Sequence, residues 1–223
     1  ETTFAELDGA VADVDRVIRI FDALLRLAEI DSGMRRSGFV ALDATDLAAS
    51  AVEFYAPAAE LKNIDLRHRS SGRVSVSGDP ILLAQALSNL IENALKYAPQ
   101  NGAVEVAVGS RDDGTAEISV SDDGPGIADS EKRKVVERFY RGDASRGTPG
   151  VGLGLSLVQA VAKLHGSALE LSDRTPGLCA AIRVPLDATG AAAPEAAPPQ
   201  TAGSGPIAAA ALAPSACSGA RGP

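Results

Sequence analysis

Three stretches of this 223-residue sequence carry residue types and spacings that could do chemistry. The first is Ser88-Asn89-Leu90-Ile91-Glu92-Asn93-Ala94-Leu95-Lys96-Tyr97. Wound as a helix, it puts Asn89, Asn93 and Lys96 on one face, with Leu83, Leu87, Leu90, Ile91 and Ala94 opposite. Asn carbonyls can ligate Mg²⁺ beside phosphate oxygens, and an ammonium neutralises phosphate charge. A solvated polar face has the same pattern. The second stretch, Asp122-Asp123-Gly124-Pro125-Gly126-Ile127, follows a strand-like run. Asp122 at a strand end could accept a hydrogen bond from an amino group, while Gly124 and Gly126 let backbone approach a flat ligand. A plain tight turn uses the same residues. The third is Gly150-Val151-Gly152-Leu153-Gly154-Leu155 before a helical pattern, where successive free amides would make an anion site. It is neither a dinucleotide fingerprint, whose third glycine would fall at 155, nor a P-loop, which needs Gly-Lys-Ser/Thr. A hinge is the ordinary reading of such glycines.

Elements must hold these stretches in place. Residues 1 to about 35 read as one helix, with Phe4, Leu7, Val11, Val14, Val17/Ile18, Phe21, Leu24/Leu25 and Ala28 at three- and four-residue intervals. Gly33 and Gly38 bracket its end. So long an apolar stripe must be covered, by its own domain or by a partner helix. A second helix is expected from about Thr45 to Leu61, with Asp43 and Thr45 as capping candidates. Ile64–His68 and Arg73–Ser77 read as short strands, and Asp79-Pro80 opens the helix of the asparagines. Val104–Ser110 and Ala116–Ser121 alternate as two strands joined through Asp112-Asp113-Gly114. A glycine-punctuated loop runs to about Pro149, followed by a helix from about Leu153 to His165 and strands near Leu169–Leu171 and Cys179–Pro185. The organisation is a leading helix (1–37), an α+β domain (43–187) and a tail (188–223). In that tail Ala, Pro and Gly make up 25 of 36 residues, too little side chain to offset ordering entropy, so it is expected to be disordered.

Composition narrows the function. With 45% hydrophobic and 22% charged residues the chain is ordinary globular material, and its 4% aromatics leave the core to Leu, Val, Ile and Ala. A formal net charge of −8 argues against coating nucleic acid or anionic membrane. Cys179 and Cys217 are too few for a disulfide framework or a four-thiolate zinc site, and a reducing compartment is the simpler expectation. No apolar run approaches the roughly 18 residues of a membrane span.

Order and spacing together decide among the readings. Asn-x-x-x-Asn-x-x-Lys-Tyr, then Asp-x-Gly-x-Gly, then Gly-x-Gly-x-Gly-Leu resembles the nucleotide-binding domain of sensor histidine kinases, in the Bergerat-fold ATPase superfamily. Glu137-Arg138-Phe139-Tyr140-Arg141-Gly142 is similar to that family's Phe-containing box in the lid over ATP, and Leu164-His165-Gly166 matches as well. The resemblance implies a two-layer α/β sandwich with helices on one face of a mixed sheet, preceded by a long helix. It implies that Asp122 receives the adenine amino group, with Gly124, Gly126 and Ile127 shaping the pocket. Asn89 and Asn93 would hold Mg²⁺ and phosphate, Lys96 would reach phosphate, and Tyr97 would lie along ribose or base. Gly150 to Leu155 would free the lid and supply amides, Arg138 and Arg141 would meet phosphate from it, and Phe139 would pack it against the domain. The cofactors implied are ATP and Mg²⁺.

One departure is large. The family's acceptor histidine lies on a helix before the one at 1–35, and no His-Asp/Glu-x-x-x-Pro occurs here; His68 and His165 are poor substitutes. The first helix resembles the second half of the dimerisation hairpin, whose stripe is buried in a four-helix bundle. Without its mate, association or exposed apolar surface is expected. Hydrolytic relatives place a Glu base four residues before the metal asparagine; here that position is Asn89, which cannot take a proton. Transfer to a protein acceptor therefore fits better than water attack. The resemblance implies that the acceptor is a homodimer's histidine, that the group passes onward to an Asp of a response regulator receiver domain, and that this is the cytoplasmic part of an inner-membrane sensor. The alternatives are a hydrolytic ATPase, an anti-sigma-type Ser/Thr kinase, or a non-catalytic nucleotide-responsive dimerisation module.

Overall fold

The computed structural model describes residues 2–31, 38–142 and 151–188. Its first half runs α1 (Thr2–Asp31), β1 (Val40–Asp43), α2 (Ala44–Glu60), β2 (Asp65–Ser70), β3 (Ser75–Gly78) and α3 (Pro80–Tyr97). Then follow β4 (Ala103–Ser110), β5 (Thr115–Asp122), the short α4 (Asp129–Lys132), α5 (Gly154–Leu164), β6 (Glu170–Asp173) and β7 (Leu178–Pro185). Most expected boundaries hold within a residue or two. The expected tail beyond 188, Gly33 and Gly150 lie outside the described residues.

Alternation builds the sheet. Every second residue of β4 and β5 is apolar, so Val104, Val106 and Val108 point to the same side as Ala116, Ile118 and Val120 and are buried. β7 adds Ala180, Ile182 and Val184 to that face. The five strands lie in the order β2-β4-β5-β7-β6, antiparallel except for the β2–β4 pair. That one parallel pair needs a crossover, and β3 with α3 supply it. β1 and β3 pair apart from the main sheet as a small antiparallel ribbon. Helices α2, α3 and α5 pack on the apolar face, and the result is the expected two-layer arrangement.

Caps fix where the helices begin. Asp43 Oδ1 accepts the Thr45 and Asp46 amides at the start of α2. Asp79 Oδ1 does the same for Ile81 and Leu82, at 2.9 and 3.1 Å, with Pro80 tolerated in the first turn of α3. Along α3, Leu83, Leu87, Leu90, Ile91 and Ala94 are all buried, as the spacing predicts.

The lower end of α1 is not detached. Leu27 and Ile30 are buried against α5, and Arg26 Nη1 donates to Gln85 Oε1 of α3 at 2.6 Å. The other face of α1 leaves Val11, Val14, Val17, Ile18, Phe21 and Leu25 more than half exposed. A row of this kind is an unpartnered interface rather than scattered surface apolarity. The side chains of Phe4 and Leu7 lie outside the described residues.

His165 ties α5 to the start of α3. Its Nδ1–H donates to the Val161 carbonyl at 2.8 Å, and its Nε2 accepts the Asp79 N–H at 3.1 Å. That pairing fixes a neutral tautomer, stacked on Phe39 at 4.6 Å. Gly78 must lack a side chain there, since a Cβ would sit 2.8 Å from Nε2. Burial lowers the imidazole pKa, against smaller opposing effects of the Val161 carbonyl and Asp79. The unfolded chain therefore takes up the proton first, near pH 6.5, and stability falls as pH drops from there toward the folded pKa. Urea midpoints between pH 7.5 and 5.5 are expected to decline on the acid side; a flat profile would exclude a buried neutral ring.

Candidate active site

One helix gathers the three stretches. From Asn89 to Tyr97, α3 spans about 12 Å, with the amides toward one end and the tyrosine at the other. At the amide end, Gly154 opens α5 directly against α3. A Cβ on it would lie 3.0 Å from Asn89 Oδ1 and 3.7 Å from Asn93 Nδ2. Asn89 Nδ2 donates to the Gln85 carbonyl at 2.9 Å, which leaves the asparagine oxygen as the atom turned toward Gly154. No side chain caps the first turn of α5. Its amides, with the positive end of the helix dipole, therefore face the same space as the Asn89 carbonyl. The Asn89 oxygen beside uncapped amides suits a cation held together with phosphate, while at Asn93 the amide nitrogen lies toward Gly154.

The other end is built on Asp122, buried at the last position of β5. Its Oδ1 accepts the Gly124 N–H at 2.8 Å. Burial raises the carboxyl pKa, which the Gly124 and Leu178 amides partly oppose. Gly124 is required by contact: a Cβ would stand 2.8 Å from both Asp122 Oδ1 and the Tyr97 carbonyl oxygen. The Asp-x-Gly-x-Gly turn is thus seated on the last residue of the asparagine helix. Sequence reading missed the residue pressed against Asp122. Gly177, in the β6–β7 turn at φ +113°, presses so close that a Cβ would lie 1.8 Å from the Asp122 carbonyl oxygen. Gly126 meets the carbonyl of Gly177 from the other side, and Ile127 follows half-buried.

The remaining predicted residues lie around this axis. Lys96 Nζ rests 4.9 Å from the centroid of the Tyr97 ring, a cation–π contact at the Asp122 end of α3. Gly152 has φ +77°, and its carbonyl accepts the Phe139 N–H at 2.9 Å, joining the segment before α5 to the Phe box. Leu153 is buried; Val151 and Leu155 are half-buried. Phe139 differs from expectation. Its backbone takes φ +64° to make the Gly152 bond, and its ring is 54% exposed instead of packed on the domain. Arg138 lines a groove of about 680 Å³ with Leu27 and Ile30 of α1 and Gln159 and Lys163 of α5, so it faces α1 and not the Asn–Gly154 contact. Arg141 is half-buried near the end of the Phe-box segment. Tyr140 Oη donates to Glu131 Oε1 at 3.0 Å, and Lys132 bridges Asp129 and Asp173, anchoring the start of the Phe-box segment to the β6–β7 hairpin.

Residues 78–188 match the family described as histidine kinase-, DNA gyrase B-, and HSP90-like ATPase. A solved structure named as the mycobacterial sensor histidine kinase MprB is 31% identical, with a TM-score of 0.59 over 66% of this chain and 97% of that one. The chain belongs to the sensor histidine kinases of that family. Signal transduction histidine-protein kinase/phosphatase MprB of Mycobacterium sp. (strain KMS) is 49% identical over 102 residues, 46% of this chain and 20% of that protein. Sensor protein QseC of Salmonella typhi is 36% identical over 168 residues, 74% of this chain and 36% of that protein. This histidine kinase chain thus spans about a fifth to a third of these curated relatives, including the ATP-binding domain.

For a histidine kinase, two further placements matter. Glu92, the carboxylate nearest the asparagines in sequence, accepts a hydrogen bond from Tyr55 Oη of α2 at 2.8 Å. Burial and that bond push the Tyr55 hydroxyl up to about 12, so the proton stays on the tyrosine. Neither histidine is placed to take a phosphoryl group. Both ring nitrogens of His165 are engaged, and Nε2 of His68 is buried with no partner. No sequence signal marks Tyr55 or Gly177, because each acts through a contact distant along the chain.

Proposed function

We propose that this chain is the ATP·Mg²⁺-binding catalytic part of a two-component sensor kinase. It presents the γ-phosphate to a histidine on a helix outside this sequence, from which the group passes to an Asp of a response regulator receiver domain. The contact of Gly154 with Asn89 and Asn93, on the helix that also seats Gly124 at Tyr97, carries the reading. Asp122 receives the adenine amino group, and Asn89 and Asn93 hold Mg²⁺ and phosphate. The amides of Gly152 to Leu155 meet the phosphate oxygens, joined by Lys96 once it leaves Tyr97 and by Arg138 and Arg141 when the lid closes. Mg²⁺ supplies charge neutralisation on the leaving phosphates; the amide oxygens fit it because they ligate without adding charge of their own. Catalysis is positioning and electrostatics.

The domain reading is residues 1–37 as half a dimerisation hairpin and 43–187 as the ATP-binding domain, with a homodimer formed through the exposed face of α1. The parent is a membrane-anchored sensor with this part in the cytoplasm; no described helix here is long and apolar enough to cross a membrane. A hydrolytic reading is disfavoured by Asn89 and by the engagement of Glu92 with Tyr55.

The test uses radiolabelled ATP. The chain is expected to bind a fluorescent ATP analogue and to leave itself unlabelled. Addition of a histidine-bearing first hairpin helix is expected to produce labelling. Binding with no labelling in that second case would favour a nucleotide-responsive module, and failure to bind would remove the assignment.

A further inference from the structure

The second acid of the Asp-x-Gly-x-Gly turn has no role in the site as described. Asp123 Oδ2 accepts the Ala103 N–H at 2.9 Å, while its Oδ1 is buried with no partner. Its carboxylate points away from the pocket, into the turn between α3 and β4, where a Cβ on Gly102 would stand 2.6 Å from Oδ1. A buried acceptor without a donor is unfavourable and persists where another constraint holds it. The constraint here is the end of a strand. β5 finishes at Asp122, whose register partners are Val104 and Leu178. The last residue of a strand frays unless something beyond it is fastened. The Asp123–Ala103 bond fastens it, extending the β4–β5 ladder one step through a side chain. The same turn is bonded on its other side, with Gly102 N–H to the Pro99 carbonyl and the Asp65 N–H to the Gly102 carbonyl. Tyr97, which seats Gly124, immediately precedes it.

We propose that Asp123 is a positioning residue that holds the Asp122 carboxylate against the purine edge by locking the end of β5 to the α3–β4 turn. The inference rests on Asp122 being the adenine acceptor. Loosening Asp123 then weakens the contact that distinguishes a 6-amino purine from one carrying a carbonyl oxygen there, and leaves the phosphate end, some 12 Å along α3, untouched.

Calorimetric titration of the chain with ATP·Mg²⁺ and with inosine triphosphate·Mg²⁺ reads that distinction. Asp123→Ala is expected to lower the ATP-to-inosine-triphosphate affinity ratio about tenfold, with inosine triphosphate binding within about threefold of the unsubstituted chain. Asp123→Asn, whose oxygen still accepts the Ala103 amide, is expected to keep the ratio within about threefold. An unchanged ratio in Asp123→Ala overturns the proposal, and so does equal weakening of both nucleotides. An asparagine variant as impaired as the alanine one overturns it too, since charge and not the hydrogen bond would then be responsible. If Asp123→Ala does not fold by circular dichroism, Asp123→Ser, too short to reach the Ala103 amide, is expected to lower the ratio; no change in it rejects the idea. Asp122→Asn, run in parallel, separates the two assignments: ATP affinity equal to that of the unsubstituted chain would remove the adenine reading itself.

Discussion

Asp122→Asn is expected to weaken ATP binding about a hundredfold while leaving the unliganded domain at least as stable as before. The amide oxygen can still accept the Gly124 N–H, so the turn survives. Its amino group, however, then faces the adenine amino group, donor against donor. The stability half follows from the carboxyl's raised pKa, caused chiefly by burial. A group with a folded pKa above its unfolded value gives stability below the unfolded pKa, near 3.9, and loses it as pH rises through the folded one. At pH 7 the ionised carboxylate is therefore a burden on the empty domain, and a neutral amide relieves it. Calorimetry with ATP and thermal unfolding without it measure the two halves. Undiminished affinity would remove Asp122 from the adenine edge.

Gly177→Ala is expected to be among the most damaging single substitutions in the ATP-binding domain. A Cβ has nowhere to go at 1.8 Å from the Asp122 carbonyl oxygen and 2.8 Å from the Asp123 Cα, and the φ of +113° is strained for any side chain. Both obstacles are backbone, which cannot swing aside as a side-chain tip can. Strain and overpacking together cost on the order of 3 kcal/mol or more. For a chain of this size that lowers the thermal midpoint by about 10 °C. ATP affinity is expected to fall with it, because the atom displaced belongs to the residue proposed to read the purine. A midpoint within about 2 °C of the unsubstituted chain would show that the β6–β7 turn can retreat from the pocket.

Much of the fold was legible because it is written locally. The Asp79-Pro80 start of α3, the alternation of β4 and β5, and the apolar rows of α3 and α5 each depend on neighbours within a turn or a strand. β1 was not legible: Val40-Ala41-Leu42-Asp43 is four residues without alternation, and pairing with β3 alone makes it a strand. The site shows the same division. Asn89, Asn93 and Asp122 announce themselves by type and spacing, whereas Gly177 looks like any glycine in a Thr-Pro-Gly turn until Asp122 is found behind it. Phe139 went astray for a related reason, since its backbone bond to Gly152 fixes a left-handed conformation that turns the ring outward. α1 was correctly expected to expose a stripe, yet the seat of Leu27 and Ile30 on α5 depends on a contact more than a hundred residues away that no local pattern marks.

The hydroxyl of Tyr55 has a consequence beyond joining two helices. By engaging Glu92, and with an amide at position 89, it leaves α3 with no idle base next to the asparagines that could strip a proton from solvent. Under the proposed function, a nucleotide held on α3 would then wait for the acceptor histidine instead of being lost to water, so that holding and transferring become separate events.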